Sequence, residues 1–119
     1  MNQSSTNKRQ VGKSWERNAA EYLRRKGYTI LFMNYRTRFA EIDIIAQDRD
    51  ELVFIEVKYR YNEQKGTPLE AVTSGKQKRI RNAARYFLME HNYDIENTFI
   101  RFDVVGVEGD KTEHIKNAF

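Results

Sequence analysis

The chain has 119 residues, of which 39% are hydrophobic, so it can bury one core and is expected to fold as a single domain. It contains no cysteine, which excludes thiol catalysis, disulfide scaffolds and thiolate zinc sites. Lysine and arginine outnumber aspartate and glutamate by 21 to 17, so a polyanion is a natural partner, although many basic proteins bind no nucleic acid.

The first ten residues, MNQSSTNKRQ, contain no apolar run, and no later segment approaches the length of a membrane span. Together with the absence of cysteine, this pattern indicates a soluble protein of the reducing cytoplasm with no membrane partner. Residues 1–11 are polar and are expected to be flexible, while residues 12–119 are expected to form the single domain.

The first predicted element is a helix over residues 12–26, where Trp15 and Leu23 belong to a set of apolar residues at helical spacing. Ser14 is expected to cap its start, and Gly27 is expected to stop it. The next segment, YTILFMNYRT, is rich in β-branched and aromatic residues and is therefore a predicted strand.

Two further strands are predicted in FAEIDIIAQDRDELVFIEVKYR, where the polar residues QDRD join them. The segment YNEQKGTPLEAVTSG is rich in turn residues and is expected to be a loop with one helical turn. A second helix is predicted over residues 76–91, and TFIRFDVVGVE and EHIKNAF are the last two predicted strands.

The predicted order of elements is therefore α, β, β, β, α, β, β. A helix that crosses over between the third and fourth strands favours a parallel pair there, so the sheet is expected to be mixed. The α/β and α+β classes both fit this order, and we favour α/β with the helices packed against the sheet.

One antiparallel register of the second and third strands, with Asp43 opposite Glu56, separates polar from apolar residues. A slip of one residue would mix the two groups, so hydrophobicity alone predicts this register. One face of the hairpin is then apolar, with the pairs Ile42–Val57, Ile44–Ile55 and Ala46–Val53. The other face carries the pairs Glu41–Lys58, Asp43–Glu56 and Ile45–Phe54.

Asp43 and Glu56 would repel each other in this register, because directly opposed Cβ atoms are roughly 5 Å apart. A divalent cation between them would remove the repulsion, and Mg²⁺ or Mn²⁺ prefers carboxylate ligands of this kind. Lys58, two residues beyond Glu56, would stand beside the metal and would stabilise charge on a phosphoryl oxygen.

The simpler alternative is a solvent-exposed face on which Glu41 and Lys58 form an ordinary cross-strand ion pair. Ile45 and Phe54 share that face, which suggests instead that it is covered, and buried charges need a partner or a metal. Both interpretations stay open on the sequence of the hairpin alone.

Helix residues supply further candidates. Glu16 falls within the apolar arc of the first helix and is aimed at the sheet, although an acid in a first turn also simply complements the helix dipole. Lys76 lies in the apolar arc of the second helix and can reach the rim of the site, or it can extend past the sheet edge without a role. The candidates for contact with nucleic-acid phosphates are Arg36, Arg38, Arg60, Lys76 and Gln77. Asp103 is expected to pair with a nearby Arg or Lys.

An acid on the first helix, an aspartate on one strand and Glu-x-Lys on the next strand resemble the PD-(D/E)xK, or restriction-endonuclease-like, nuclease superfamily. More closely, NYRTRFAEIDIIAQDRDELVFIEVKYR, GTPLEAVTSGKQKRI and RFDVVGV resemble the YraN-type family of bacterial proteins. That family is largely uncharacterised and is compared with archaeal Holliday-junction resolvases. The likeness runs from about Gly12 to Phe119, and the long combined motif is specific, whereas Glu-x-Lys alone is common.

The resemblance implies a restriction-endonuclease-like fold and a Mg²⁺ or Mn²⁺ site made by Asp43, Glu56 and the backbone carbonyl of Val57. It also implies a catalytic role for Lys58 and an accessory catalytic role for Glu16.

Two positions depart from the pattern of these families. Ile42 stands where the superfamily motif has proline, and Ala40 stands where the closer family usually has glycine. Neither change removes a metal ligand, so the implied chemistry is retained.

The expected function is a metal-dependent endonuclease that hydrolyses DNA phosphodiester bonds, at a branched site similar to a Holliday junction or at another structured site. Resolution of a four-way junction needs two active sites, so a homodimer is expected if that is the substrate. The alternative from a different class is a non-catalytic, nucleic-acid-binding subunit of a DNA-processing complex. A third reading, an ordinary basic scaffold, predicts no binding of divalent cations.

Overall fold

The chain folds as a five-stranded mixed sheet with one helix against each face. The computed structural model describes residues 4–59 and 66–119, and it describes side chains from Ser14 onward. The elements are α1 (Ser4–Arg25), β1 (Thr29–Arg36), β2 (Glu41–Asp48), β3 (Glu51–Tyr59), α2 (Ser74–Glu90), β4 (Phe99–Glu108) and β5 (Lys111–Ile115), with a 3₁₀ turn (Leu69–Ala71) before α2. The predicted order of elements and the single helical turn are confirmed.

The strands lie in the order β1-β2-β3-β4-β5. Because α2 carries the chain across the sheet, β3 and β4 are parallel, and every other neighbouring pair is antiparallel. The predicted α/β class with a mixed sheet is therefore confirmed, and the architecture is consistent with the restriction-endonuclease-like arrangement.

The start of α1 differs from the prediction. The helix begins at Ser4 and not at Gly12, so Ser14 lies inside it and does not cap it. Its end is as expected, because Gly27 adopts a φ of 98°. There the Gly27 N–H donates to the Arg24 carbonyl and the Tyr28 N–H to the Leu23 carbonyl, the paired bonds of a Schellman stop. The flexibility expected of residues 1–11 stays a prediction.

The last strand also differs from the prediction. β5 spans Lys111–Ile115, so it ends before the final residues of EHIKNAF. The chain beyond it turns over the α2 face of the sheet, where the Ala118 N–H donates to the Phe102 carbonyl and the Phe119 ring stacks on the Phe102 ring. These last residues therefore cover the core and do not extend the sheet.

The sheet separates two apolar layers. The layer on the α1 side includes Ala19, Leu23, Ile44, Ile55 and Val105. The layer on the α2 side includes Ile45, Phe54, Ile80, Phe87 and Phe102. The face that carries Phe54 is therefore covered by a helix, which supports the covered interpretation of the hairpin over the solvent-exposed one. Within the described ranges, no helix is long and apolar enough to cross a membrane.

A buried polar network joins β4 to β1 and β5. Asp103 is fully buried and accepts two hydrogen bonds from the Arg101 guanidinium, at 2.9 and 3.0 Å. The His114 ring lies 2.7 Å from the carboxylate, the Tyr28 hydroxyl donates to it at 3.2 Å, and the Asn117 N–H donates at 3.1 Å. Burial alone would raise the pKa of Asp103, but the bonds from His114, Arg101 and Asn117 outweigh burial and lower it to about 2. The expected pairing of Asp103 with an arginine is confirmed.

We expect Asp103→Asn to lower the free energy of unfolding by about 3 kcal/mol at pH 7, because it leaves the buried Arg101 without its main counter-charge. The pKa of Asp103 is lower in the folded chain than its ordinary value of 3.8, so its stabilisation is present above pH 4 and disappears as the pH falls towards 2. Urea unfolding of both proteins at several pH values measures this. The exposed Asp110→Asn is the control, and an unchanged difference between pH 7 and pH 2 would contradict the assignment.

Candidate metal centre

The β2–β3 hairpin has the register that its hydrophobic pattern predicts over most of its length. Its pairing begins with Asp48 opposite Glu51 and continues to Ile44 opposite Ile55. The predicted pairs Ile44–Ile55, Ile45–Phe54 and Ala46–Val53 are all present. These pairs therefore carry the two strands to the point where the acidic residues lie.

The pairing changes at Asp43. The Asp43 carboxylate accepts a hydrogen bond from the Val57 N–H at 2.8 Å, so a side chain takes the place of a backbone carbonyl as the partner of β3. The strand alternation is interrupted there, because Ile42 and Ile45 lie three residues apart yet both pack on the α2 side. Ile42 was predicted to share the apolar face of Val57 and Ile44, on the α1 side, and this prediction was wrong. The physical reason is the interruption of the strand at Asp43, which the hydrophobic pattern does not reveal.

The neighbouring strand has a matching interruption. Asn34 in β1 adopts a φ of 56°, in the left-handed region that asparagine tolerates better than most residues. Phe32 and Tyr35, on either side of it, both contact the Phe87 ring from the α2 side, with centroid distances of 5.4 and 5.2 Å. The alternation of side chains between the two faces of the sheet is thus interrupted in β1 and in β2, next to the candidate site.

Glu56 is the buried acid of the site. Its side chain is 5% exposed, and its Oε2 atom lies 3.7 Å from Lys58 Nζ and 3.7 Å from Lys76 Nζ. The second lysine comes from the first turn of α2, where the Thr73 hydroxyl accepts a hydrogen bond from the Lys76 N–H. The helix cap therefore positions this lysine over the end of β3.

Asp43 and Glu56 lie in contact and form an electrostatically unfavourable pair. Burial, the Glu56 charge and a hydrogen bond between the two carboxyl groups raise the pKa of Asp43 well above its ordinary value. The bond from the Val57 N–H opposes this shift, and the charge of Glu16 adds to it. Two carboxylates this close do not both ionise readily, and a cation between them would remove the repulsion.

Glu16 reaches the site from α1. It is partly buried, and its charge acts on Asp43, so the helix faces this acid toward the acidic pair as its place in the apolar arc predicts. Its role in catalysis stays a prediction.

The donor set fits a hard divalent cation that keeps waters. Among the residues that the structure describes, no three acidic or histidine side chains lie close enough to hold a metal ion by themselves. Asp43 and Glu56 supply two carboxylates, and the Val57 carbonyl lies on the same residue as the N–H that reaches Asp43. Mg²⁺ is commonly bound by one or two carboxylates, with waters and phosphate oxygens completing its six ligands.

The predicted phosphate contacts are spread around this centre. Arg36 lies 3.7 Å from Glu41 at the end of β1, so Glu41 pairs with that arginine and not with Lys58. The Arg38 guanidinium lies over the Phe39 ring, 5.0 Å from its centroid. Arg60 lies outside the described residues.

Gln77 is engaged within the protein. Its side-chain amide donates to the Val72 carbonyl at 3.1 Å and ties the start of α2 to the preceding turn. Its predicted contact with nucleic acid remains a prediction.

The comparisons with known proteins identify the family. A family model described as "Uncharacterised protein family UPF0102" matches residues 15–107. The chain belongs to this family. Its resemblance to the YraN-type family is thereby confirmed, because UPF0102 is that family.

Relatives match nearly the whole chain. A UPF0102 protein of Lachnoclostridium phytofermentans is 50% identical over 113 residues, which cover 95% of each chain. A UPF0102 protein of Syntrophus aciditrophicus is 48% identical over 113 residues, covering 92% of this chain and 87% of that protein. One from Clostridioides difficile is 44% identical over 115 residues, covering 95% and 99%. These names state the family and no activity.

Lys76 of this UPF0102 protein reaches the candidate site, as its place in the apolar arc of the second helix predicts, and lies against the buried Glu56. The sequence did not identify Glu56 as its partner, although a lysine inside an apolar arc has to find an acidic partner below the helix. Its contact with a nucleic-acid phosphate stays a prediction.

We expect Asp43→Asn to stabilise the fold at pH 7 when divalent cations are absent. The pKa of Asp43 is higher in the folded chain than in the unfolded chain, so its ionisation costs stability as the pH rises through the folded value. The variant should unfold a few degrees higher than wild type at pH 7, and the difference should vanish below pH 4. Thermal unfolding in a chelator measures this, with the exposed Asp50→Asn as control. Equal stability of wild type and Asp43→Asn at pH 7 would argue against a repelling acidic pair.

Proposed function

We propose that this UPF0102 protein is a Mg²⁺- or Mn²⁺-dependent endonuclease that hydrolyses DNA phosphodiester bonds. The observation that supports it best is the contact of Asp43 with Glu56, two acidic side chains that repel each other beside two lysines. This arrangement costs stability in the isolated protein, and a bound divalent cation would relieve the cost.

Asp43, Glu56 and the Val57 carbonyl would hold the cation. A divalent cation in such a site polarises the phosphate and makes water a competent nucleophile at neutral pH. In the hydrolysis, a water oxygen bonds to phosphorus, the bond from phosphorus to one sugar oxygen breaks, and a proton passes to the departing oxygen. The proton that the attacking water loses would pass to bulk solvent, because Asp43 and Glu56 would be engaged by the cation.

Two lysines would act on the phosphate. Once the cation neutralises Glu56, Lys58 and Lys76 would be released from their shared partner, and their Nζ atoms would donate to phosphoryl oxygens that gain charge in the transition state. Glu16, close enough to influence Asp43, would orient a water molecule as the accessory acid.

The basic residues at the turn would hold the DNA backbone. Arg36 and Arg38 stand at the end of β1, and each carries a guanidinium that matches phosphate geometry. With a formal net charge of +4, the chain would approach a polyanion readily. For a four-way junction as substrate, we propose a homodimer with one site for each cut. We propose the cytoplasm as its compartment because the chain lacks cysteine.

One observation favours a second function, a non-catalytic nucleic-acid-binding subunit. Within the described residues no third acidic side chain joins Asp43 and Glu56 closely enough to complete a metal site, so the pair depends on water and phosphate for its other ligands. Such a subunit would bind branched DNA without cutting it. We favour the nuclease because a buried acidic pair gives a purely binding surface no advantage.

We expect purified wild-type protein to cleave branched DNA in Mg²⁺ or Mn²⁺ and to stop in a chelator. Asp43→Ala should abolish cleavage, and Lys58→Ala should lower kcat about 100-fold or more, because it removes a donor to the transition state. Lys76→Ala should also lower kcat. The measurement is single-turnover cleavage of labelled junction, flap, duplex and single-stranded DNA.

Lys78→Ala is the matched control for Lys76→Ala, because Lys78 is an exposed lysine of the same helix turn. Equal cleavage by wild type, Asp43→Ala and Lys58→Ala would reveal a contaminating nuclease and would reject the proposed activity. DNA binding without cleavage by any protein in the series would favour the binding subunit.

We expect Mn²⁺ to bind wild-type protein and to release a proton when it does so at pH 7, because the cation favours the ionised form of Asp43, whose pKa is raised in its absence. Calorimetric titrations in two buffers of different ionisation enthalpy measure both quantities. Glu56→Gln should lose binding, whereas Asp50→Asn should keep it. If titration of wild type with millimolar Mn²⁺ gives no binding heat, the third hypothesis, a basic scaffold without a metal site, would be favoured.

A further inference from the structure

A second concave site lies between the β1–β2 turn and the C-terminal half of α2. It is a cavity of about 580 Å³ lined by Arg36, Thr37, Arg38, Tyr86 and Glu90. The metal centre contains none of these five residues. A cavity of this volume can hold one nucleobase with its sugar.

The turn side of the cavity is rigid and basic. Thr37 Oγ1 accepts hydrogen bonds from the N–H groups of Phe39 and Ala40, at 3.0 and 3.1 Å, which fixes the turn. The Arg36 side chain is 84% exposed and is held only loosely by Glu41 at 3.7 Å. The guanidinium groups of Arg36 and Arg38 are thus presented to solvent on a fixed backbone, where they suit a phosphate diester.

The helix side of the cavity supplies an aromatic face. Tyr86 is 42% exposed although it is a large aromatic side chain. Exposed aromatic rings beside basic side chains are the usual platform on which unpaired bases stack. Fully paired duplex DNA cannot use such a ring, because its bases are already stacked on one another.

The lining of the cavity also includes a carboxylate that is held in place. The Tyr35 hydroxyl donates a short hydrogen bond to Glu90 Oε1, and His91 Nε2 lies 3.4 Å from the same atom. Burial and the Glu90 bond raise the pKa of Tyr35, so this hydroxyl stays a donor. A carboxylate accepts paired hydrogen bonds from two adjacent N–H donors. Guanine is the base that presents two such donors side by side on its Watson–Crick edge.

The cavity is close to the metal centre along the sheet. Glu41, the partner of Arg36, lies two residues before Asp43 on β2, a distance of about 7 Å along the strand. On the helix side, Tyr86 lies ten residues after Lys76 on α2, about 15 Å along the helix axis. A single DNA strand that placed a phosphate at Asp43 would therefore bring a nucleotide within about three positions of that phosphate to the cavity.

We propose that this cavity binds one unpaired nucleotide of the DNA substrate, with guanine favoured, within about three nucleotides of the phosphate that is cut. Arg36 and Arg38 bind its phosphate, Tyr86 stacks on its base, and Glu90 accepts hydrogen bonds from its edge. This inference rests on the proposed nuclease function. It restricts the substrate to DNA with an unpaired base near the cleaved bond, such as a flap or an open branch point.

The test uses full-length protein in a chelator and a branched duplex with one unpaired 2-aminopurine at the branch. Binding of wild type and Tyr86→Phe should quench the 2-aminopurine emission, because both keep an aromatic face. Tyr86→Leu should not quench it and should bind about 5-fold or more weakly. A second pair of substrates carries guanine or inosine as the unpaired base and tests the contact between Glu90 and the Watson–Crick edge of the base. Wild type should prefer guanine over inosine, and Glu90→Gln should lose that preference.

Two failures are distinguishable. If wild type cleaves branched DNA but Tyr86→Leu binds and quenches as wild type does, the cavity has no such role and the proposed function stands. If wild type neither binds nor cleaves any of the DNA forms, both proposals fall. Circular dichroism and the unfolding midpoint confirm that each variant is folded, which is expected for substitutions at partly exposed positions.

Discussion

One hydrogen bond determines the form of the candidate site. The Val57 N–H donates to the Asp43 carboxylate and not to a backbone carbonyl of β2, so the regular pairing of the hairpin ends there. With that bond in place, the Asp43 side chain lies between the strands and meets Glu56, and Ile42 turns to the α2 side. The contact between the two acids thus follows from this change of partner.

The sequence predicts the sheet well because its signal there is strong and local. Alternation in β2 and β3 identifies the register from Ile44 to Ala46, since a slip would bury charges. The alternation fails at Ile42, because the side chain of the next residue takes a hydrogen bond that would otherwise belong to the backbone pairing of the strands. The hydrophobic pattern of a sequence does not reveal such a bond. The early start of α1 at Ser4 was missed for a related reason, because polar residues such as those before Gly12 form a helix without any apolar periodicity. Lys76 was assigned to the right region, but its partner lies on another element and only the fold brings them together.

The sheet contains two acidic sites with opposite electrostatic surroundings. Around Asp103, an arginine, a histidine and a backbone N–H satisfy every charge, and the pKa of the acid falls. Around Asp43, another acid is the nearest neighbour, and the pKa rises. A stable fold tolerates the second arrangement because the first, together with two apolar layers, supplies the stability. The contrast marks Asp103 as a structural acid and Asp43 as a candidate for a functional one, without reference to any relative.

The residues of the site come from different distances along the sequence. Asp43 and Val57 are 14 residues apart, and Lys58 follows directly, so the acidic pair and its first lysine all belong to one short hairpin. Lys76 is brought to Glu56 from a different element, by the helix that crosses the sheet between β3 and the parallel β4. A substitution that loosens the packing of α2 would therefore move the second lysine away and leave the two acids in contact.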